Sequence, residues 1–193
     1  MTFHDAIRFL QEHSQISADA PQAVIDQLDV VRRHLSEHPD ARCIPHVLGV
    51  FGDHMGWGIF QLFDDVLRRY TPEQFVPHLT AALSEHRGTR WWAAHWAMAW
   101  PRPELMPALL RVLESPEDDD AHYFCLSAVG DIYATTCDAK ACAYLRERAE
   151  RETAPERREL LDELLKLQRP NHALQRTRLS RSGCVSRVPG PGR

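Results

Sequence analysis

The sequence predicts an all-α fold, a short right-handed α-solenoid of stacked antiparallel helix hairpins. The first observation is an internal repeat: residues 71–79 (TPEQFVPHL) are echoed by residues 102–109 (RPELMPAL), and their Pro-Glu pairs begin 31 residues apart. A fainter echo at residues 44–48 (IPHVL) places its proline 32 residues before Pro77. Repeats of this length are typical of arrays in which each hairpin buries its apolar face against its neighbours. The second observation is that apolar residues recur with the helical period along nearly the whole chain, and no stretch alternates for long enough to form a strand.

The apolar stripes and the breaks between them predict the helices in order. The first apolar runs cover residues 3–10, 24–35, 43–51 and 57–70, with a helix-breaking His-Pro-Asp sequence at 38–40. The later helices are predicted at residues 75–87, 89–100, 105–114, 118–134, 138–151 and 155–168. The last of them is rich in leucine, and we expect it to close the stack.

The helix boundaries carry recognisable capping sequences. Residues 71–74 (TPEQ) combine an N-cap threonine, a proline at the first helical position and a glutamine at the third, which form a capping box, and residues 115–118 (SPED) repeat the device. Gly88 stands where a C-terminal cap is expected for the helix at 75–87. Pro77 and Pro107 fall inside their helices in this assignment. We expect each helix to begin at that proline, after a short turn started at the Pro-Glu pair; the alternative is a kinked helix.

Residues 58–149 resemble the HEAT-repeat superfamily. The residues that carry the resemblance are the Pro-x-Leu openings of the second helices at 77–79 and 107–109, and the small, apolar first helices at 90–97 and 124–131. The resemblance implies a scaffold that binds protein partners, and it transfers no catalytic residue to this chain. Residues 1–56 match the pattern poorly.

The charge is distributed unevenly between a body and a tail. The chain has 23 Lys and Arg and 27 Asp and Glu residues, and residues 171–193 hold five of the arginines and no acid. Residues 1–170 therefore carry 18 basic and 27 acidic side chains, a net charge of −9. We interpret residues 1–170 as one helical domain whose charge repels phosphate backbones and argues against nucleic-acid binding. No apolar run is long enough to span a membrane, no signal peptide is recognisable, and five irregularly placed cysteines fit a reducing, cytoplasmic setting.

Residues 171–193 have no helical period and end in VPGPGR, which predicts a disordered basic tail. The tail resembles the read-through of a recombination site at the end of a mobile integron cassette gene. That resemblance implies an accessory, mobile gene, and a basic charge that has no binding role of its own.

Tryptophans are concentrated in the helix at 89–100. Trp92, Trp96 and Trp100 share one helical face, and Trp91, His95 and Met98 form the adjacent stripe. One interpretation is that these rings pack the core. The other is that they form an aromatic pocket or a partner hot spot, with Arg90 and Arg102 at its flanks as a clamp for a carboxylate or phosphate. DNA-lesion glycosylases of the HEAT-like class build a groove of this kind, but the acidic body argues against that activity here.

Four glycines cluster between residues 49 and 58, which predicts a break or a close helix approach. Asp53, His54 and Trp57 lie within this segment and are candidates to line the mouth of a groove; close packing is the alternative. No catalytic motif for nucleophilic chemistry and no phosphate-binding glycine loop is present in the sequence.

Metal binding and cofactor binding are not predicted. The acidic run at 117–120 is expected to stabilise a helix N-terminus, and Asp64-Asp65 is expected to be an exposed helical pair. His34 and His38 are four apart but lack a third ligand at a sensible spacing, and Cys137 and Cys142 lack a second pair.

These observations together predict a non-enzymatic interaction protein. We expect it to bind a protein partner, which the acidic body favours to be basic, and the cassette resemblance suggests an immunity or antitoxin role or an accessory adaptor. The predicted binding residues are Asp53, His54, Trp57, Arg90, Trp91, His95 and Arg102. The alternative is a small-molecule binder or enzyme that uses the aromatic residues at 91–100 with His54, His95 or His122.

Overall fold

The structure is a computed structural model that describes residues 1–54, 56–85, 87–115 and 119–166; at residues 57, 87, 119 and 120 only the backbone is described. Within those ranges every regular element is helical and no strand occurs, which confirms the all-α prediction. None of the described helices combines the length and the apolar character needed to cross a bilayer. The predicted disordered tail at 171–193 lies outside the described residues.

The helices follow one another with short connections. They are α1 (Phe3–Glu12), α2 (Gln22–Glu37), α3 (Ile44–Gly49), α4 (Ile59–Leu62), α5 (Asp64–Leu67), α6 (Pro72–Ala82), α7 (Arg87–Ala99), α8 (Met106–Glu114), α9 (Asp119–Thr136), α10 (Ala139–Arg151) and α11 (Pro155–Lys166). Single 3₁₀ turns, Ala41–Cys43, Gly56–Gly58 and Pro103–Leu105, lead into α3, α4 and α8.

The two repeat copies start their helices differently. Pro103–Leu105 forms a 3₁₀ turn and α8 begins at Met106, so Pro107 opens the helix as expected. In the first copy α6 begins at Pro72, and Pro77 lies inside the helix, so that expectation is wrong there. The Thr71 N–H donates to Gln74 Oε1 at 3.0 Å, and this cap favours the earlier start even though Pro77 costs one hydrogen bond within the helix.

Gly88 is not the C-terminal cap that the sequence predicts. Helix α6 already ends at Ala82, and Gly88 lies in the first turn of α7, buried against the backbone of the loop at 52–53. A Cβ at Gly88 would lie 2.5 Å from the Gly52 carbonyl carbon and 2.6 Å from the Asp53 amide nitrogen. The glycine therefore allows a close backbone approach.

The predicted helix at 57–70 is divided. Gly58 adopts φ +86°, a left-handed conformation suited to glycine, and α4 begins after it. The Phe63 N–H then bonds the Phe60 carbonyl, a 3₁₀-type contact that tightens the chain between α4 and α5.

One continuous hydrophobic core runs from α1 to α11. Its centre is aromatic: the Phe51 ring lies 5.5 Å from the Trp92 ring and 4.6 Å from the Trp96 ring, measured between centroids. Around this centre α3 packs on α6, α6 contacts the turn before α8, and α7 runs along α9. Helix α9 also packs against α8, α10 and α11, which makes it the common neighbour of these three helices.

Candidate functional site

The residues predicted as a binding site lie in three places around α7. Asp53 and His54 belong to the loop beside the N-terminal turn of this helix, Trp91 and His95 lie along it, and Arg102 follows its C-terminal end. The side chain of Trp57 lies outside what the structure describes.

His54 holds the loop in place. Its Nε2 N–H donates to the Ile16 carbonyl at 2.7 Å, and its Nδ1 accepts from the Gly56 N–H at 2.9 Å. One ring nitrogen thus donates and the other accepts, so both are used to hold the loop. The His54 carbonyl in turn accepts from the Trp92 indole N–H at 3.2 Å, so the loop is bonded on both sides. Asp53, by contrast, is exposed.

The tryptophans divide between the core and its edge. Trp92 and Trp96 are only 1% and 2% exposed and pack the centre of the protein, as the first interpretation expects. Trp91 and Trp100 are half-buried. Trp91 and Trp100 therefore expose more of their rings than Trp92 and Trp96 do.

Arg90 and Arg102 are not brought together. Arg90 donates to the Glu85 carbonyl at 3.0 Å, and Arg102 forms an ion pair with Glu73 at 3.3 Å. The two side chains are fixed at opposite ends of α7, and the structure does not place them as a single clamp around the aromatic cluster.

His95 lies among aromatic rings. It stacks on Trp91 with 6.0 Å between ring centroids, and the Phe124 ring meets it edge-on at 5.2 Å. Burial lowers the pKa of His95, opposed by the nearby Asp64 carboxylate, and the His95 Nδ1 atom is buried without a hydrogen-bond partner.

His95 contributes to a cleft between α4, α5 and α7, which we call the α5–α7 cleft. Its volume is about 240 Å³. The lining side chains are Gln61, Asp64, Arg68, Trp92, His95, Trp96 and Ala99. Neither Asp64 nor Arg68 was predicted as a site residue; Asp64 was expected to form an exposed helical pair with Asp65.

A second candidate surface flanks α6. A groove of about 470 Å³, which we call the repeat groove, separates α6 from the turn before α8. It is lined by Pro72, Glu73, Val76, Pro77, Thr80, Arg102 and Glu104, so both copies of the Pro-Glu repeat contribute to it. On the other flank of α6 a groove of about 530 Å³ runs toward α3. Of the predicted binding residues only Arg102 lines the repeat groove. For the other residues that line it, the sequence repeat was the available signal.

Metal ligation finds no support among the described residues, where no group of three His, Cys, Asp or Glu side chains is placed to hold an ion. His34 and His38 contact each other edge-on at 4.9 Å between centroids. His122 Nε2 donates to the Val112 carbonyl at 2.8 Å. The side chains of the acidic run at 117–120 lie outside the described part of the chain.

Comparison with known proteins finds no match to any family model, any curated protein or any solved structure. The resemblances to HEAT repeats and to an integron cassette therefore stay predictions.

Proposed function

We propose that this protein is a non-enzymatic, HEAT-like helical-repeat protein that binds a basic protein partner through the face formed by α3, α6 and α8. The observation that carries the proposal is the repeat groove, where the two copies of the Pro-Glu element lie side by side. A sequence feature that repeats along the chain thus contributes twice to one surface.

The helix contacts support a solenoid arrangement for this proposal. Helices α3, α6 and α8 each carry a proline within or at the start of the helix, and they follow one another in space through the contacts of α3 with α6 and of α6 with the turn before α8. Helices α7 and α9 pack together as the corresponding first helices. Two such layers of alternating helices are the arrangement by which HEAT-like units present their second helices to a partner.

The chemistry of the repeat groove suits a basic protein segment. Its apolar surface comes from Val76, Pro77 and the stem of Thr80, and its rim carries Glu73 and Glu104 against the single base Arg102. An apolar floor with a polar rim is the usual anatomy of a protein interface. The net charge of −9 over residues 1–170 adds a longer-range attraction for basic partners.

The biological role that fits this chemistry is an immunity, antitoxin or accessory adaptor function in the cytoplasm. An acidic helical protein can cover the basic surface of a nuclease, and the tail resemblance implies a mobile accessory gene. Neither step requires catalysis by this chain.

The test is affinity capture from the native host with the wild-type protein and two charge-reversal variants. Glu73→Lys/Glu104→Lys changes the rim of the repeat groove, and Asp162→Lys/Glu163→Lys makes the same change in net charge at exposed positions of α11. Lysine near the start of α6 opposes the helix dipole by about 0.3–1 kcal/mol, so thermal melting must first show that both variants are folded.

We expect wild-type and α11-variant proteins to recover one basic protein in stoichiometric amount, and the groove variant to bind it at least tenfold more weakly. The difference should shrink as salt is raised, because salt screens charges on the rim. Recovery of no stoichiometric basic protein, or equal affinity of the two variants for it, would contradict the proposal.

A further inference from the structure

The α5–α7 cleft contains a cation of the protein's own. The Arg68 Nε donates to Asp64 Oδ2, and the Arg68 guanidinium carbon lies 5.9 Å from the centroid of the Trp100 ring. A carboxylate on one side and an indole ring on the other form the two contacts that a planar organic cation prefers. Asp64 and Arg68 line the cleft itself, and Trp100 lies beside it, outside the lining.

Arg68 is held there weakly. Its side chain is 61% exposed and that of Asp64 is 33% exposed, and ion pairs at such positions contribute little to stability. The distance of 5.9 Å to the Trp100 ring is near the outer limit for a cation–π contact. An external cation can therefore replace Arg68 at the Asp64 carboxylate with little loss of free energy.

The remainder of the cleft accommodates an apolar group attached to such a cation. Trp92 and Trp96 contribute to its lining, and the exposed Ala99 leaves one end open. The volume of about 240 Å³ lies just below the range typical of pockets for drug-sized ligands. A cleft of this size has room for one small ring with its substituent.

His95 adds to the lining of the site no positive charge that would repel a bound cation. Because burial keeps its imidazole neutral, it adds no cation beside Asp64. Its ring is held by the stacked Trp91 and by Phe124, so the part of the cleft wall that it forms is fixed before any ligand arrives. A fixed wall of this kind raises affinity by reducing the ordering that binding requires.

We infer that the α5–α7 cleft is a binding site for a small, planar organic cation of the amidinium or guanidinium class, which takes the place of the Arg68 guanidinium at Asp64 and lies against the tryptophan rings. The site is separate from the repeat groove, and the inference does not depend on the proposed partner.

Benzamidine is the probe, and benzamide is its neutral counterpart of nearly the same shape. Binding is measured by tryptophan fluorescence and isothermal titration calorimetry at low salt. We expect saturable binding of benzamidine with a Kd below about 1 mM, and at least tenfold weaker binding of benzamide, because the carboxylate favours only the cation.

Two matched pairs of variants test the roles of Asp64 and Arg68. Asp64→Asn should weaken benzamidine at least tenfold, whereas Asp65→Asn, at the exposed neighbouring position, should leave it unchanged. Arg68→Ala should strengthen benzamidine several-fold because it removes the competing internal cation. Arg69→Ala makes the same change in net charge at an exposed position outside the cleft, so it should have no comparable effect.

A further variant tests the location. Ala99→Trp should fill the open end of the cleft and abolish binding, and since Ala99 is exposed the fold should tolerate it. Glu73→Lys/Glu104→Lys should leave benzamidine binding unchanged. The inference is wrong if benzamidine does not saturate, if benzamide binds equally well, if Arg68→Ala weakens binding, or if only the repeat-groove variant affects it.

Discussion

Replacing Gly88 by alanine should destabilise the protein, against the ordinary preference of helices for alanine. In the first turn of α7 a Cβ at this position would lie 2.5 Å, 2.6 Å and 2.9 Å from backbone atoms of Gly52 and Asp53. All three contacts are with backbone, so the loop or the helix must move to relieve them. Overpacking of this kind costs about 1–3 kcal/mol, while alanine returns up to about 1 kcal/mol of helix propensity.

We therefore expect Gly88→Ala to lower the free energy of unfolding by about 2 kcal/mol and the melting temperature by about 4–8 °C. Urea unfolding followed by tryptophan fluorescence measures the change, and an unaltered denaturant slope would show that it lies in the native contacts.

Gly49 provides the matched control. It ends α3, and a Cβ there would meet no atom within 4 Å. Gly49→Ala should leave stability unchanged or raise it by up to about 1 kcal/mol. If Gly88→Ala were as stable as Gly49→Ala, the close approach of α7 to the 52–53 loop would be refuted, and with it the placement of His54 beneath Trp92.

Three further predictions follow from burial. Trp92→Ala should lower the free energy of unfolding, measured in urea, by about 3–5 kcal/mol because Trp92 is only 1% exposed. Trp100→Ala should lower it clearly less, since Trp100 is half-buried. Equal losses in the two variants would contradict the division of the tryptophans between the core and its edge. Burial lowers the pKa of His95 below its ordinary value of 6.5, so the unfolded chain takes up a proton that the folded protein resists, and stability should fall as the pH drops below 6.5. Stability measured across that range should decline less steeply in His95→Gln, and an identical decline would count against a buried neutral ring. Iodoacetamide at neutral pH should label the exposed Cys137, and it should label Cys43 only after denaturant is added. The reason is that Cys43 is buried and that burial raises the pKa of its thiol to about 11. Mass spectrometry of the two cysteine-containing peptides checks this.

The fold class was predictable because its signal is local. Helical periodicity needs only neighbouring residues, and so does the capping sequence at 71–74 that starts α6. The position of Gly88 was assigned incorrectly because a glycine is equally compatible with a helix cap and with a close backbone approach. The deciding neighbour, Gly52, lies 36 positions earlier in the sequence.

The candidate sites were less predictable for the same reason. His54 was a candidate to line the mouth of a groove, with close packing as the alternative, and the Ile16 carbonyl that accepts from its Nε2 is 38 residues away. The pairing of Asp64 with Arg68 is visible as a four-residue spacing, whereas its proximity to Trp100 depends on how α5 lies against α7. Side-chain chemistry can be inferred from residue types, but which groups meet is decided by helix packing.

Trp100 contacts a residue of α6 on one side and Arg68 of the α5–α7 cleft on the other. Its ring centroid lies 4.5 Å from that of Phe75, a buried residue of α6, and 5.9 Å from the guanidinium carbon of Arg68. The first contact belongs to the core and persists whether or not the cleft is occupied. The second is exposed and weak, so displacing Arg68 releases a mobile side chain and leaves the Phe75–Trp100 packing in place. Because this displacement leaves the buried contact between Trp100 and α6 in place, we expect binding in the cleft and binding in the repeat groove to be independent.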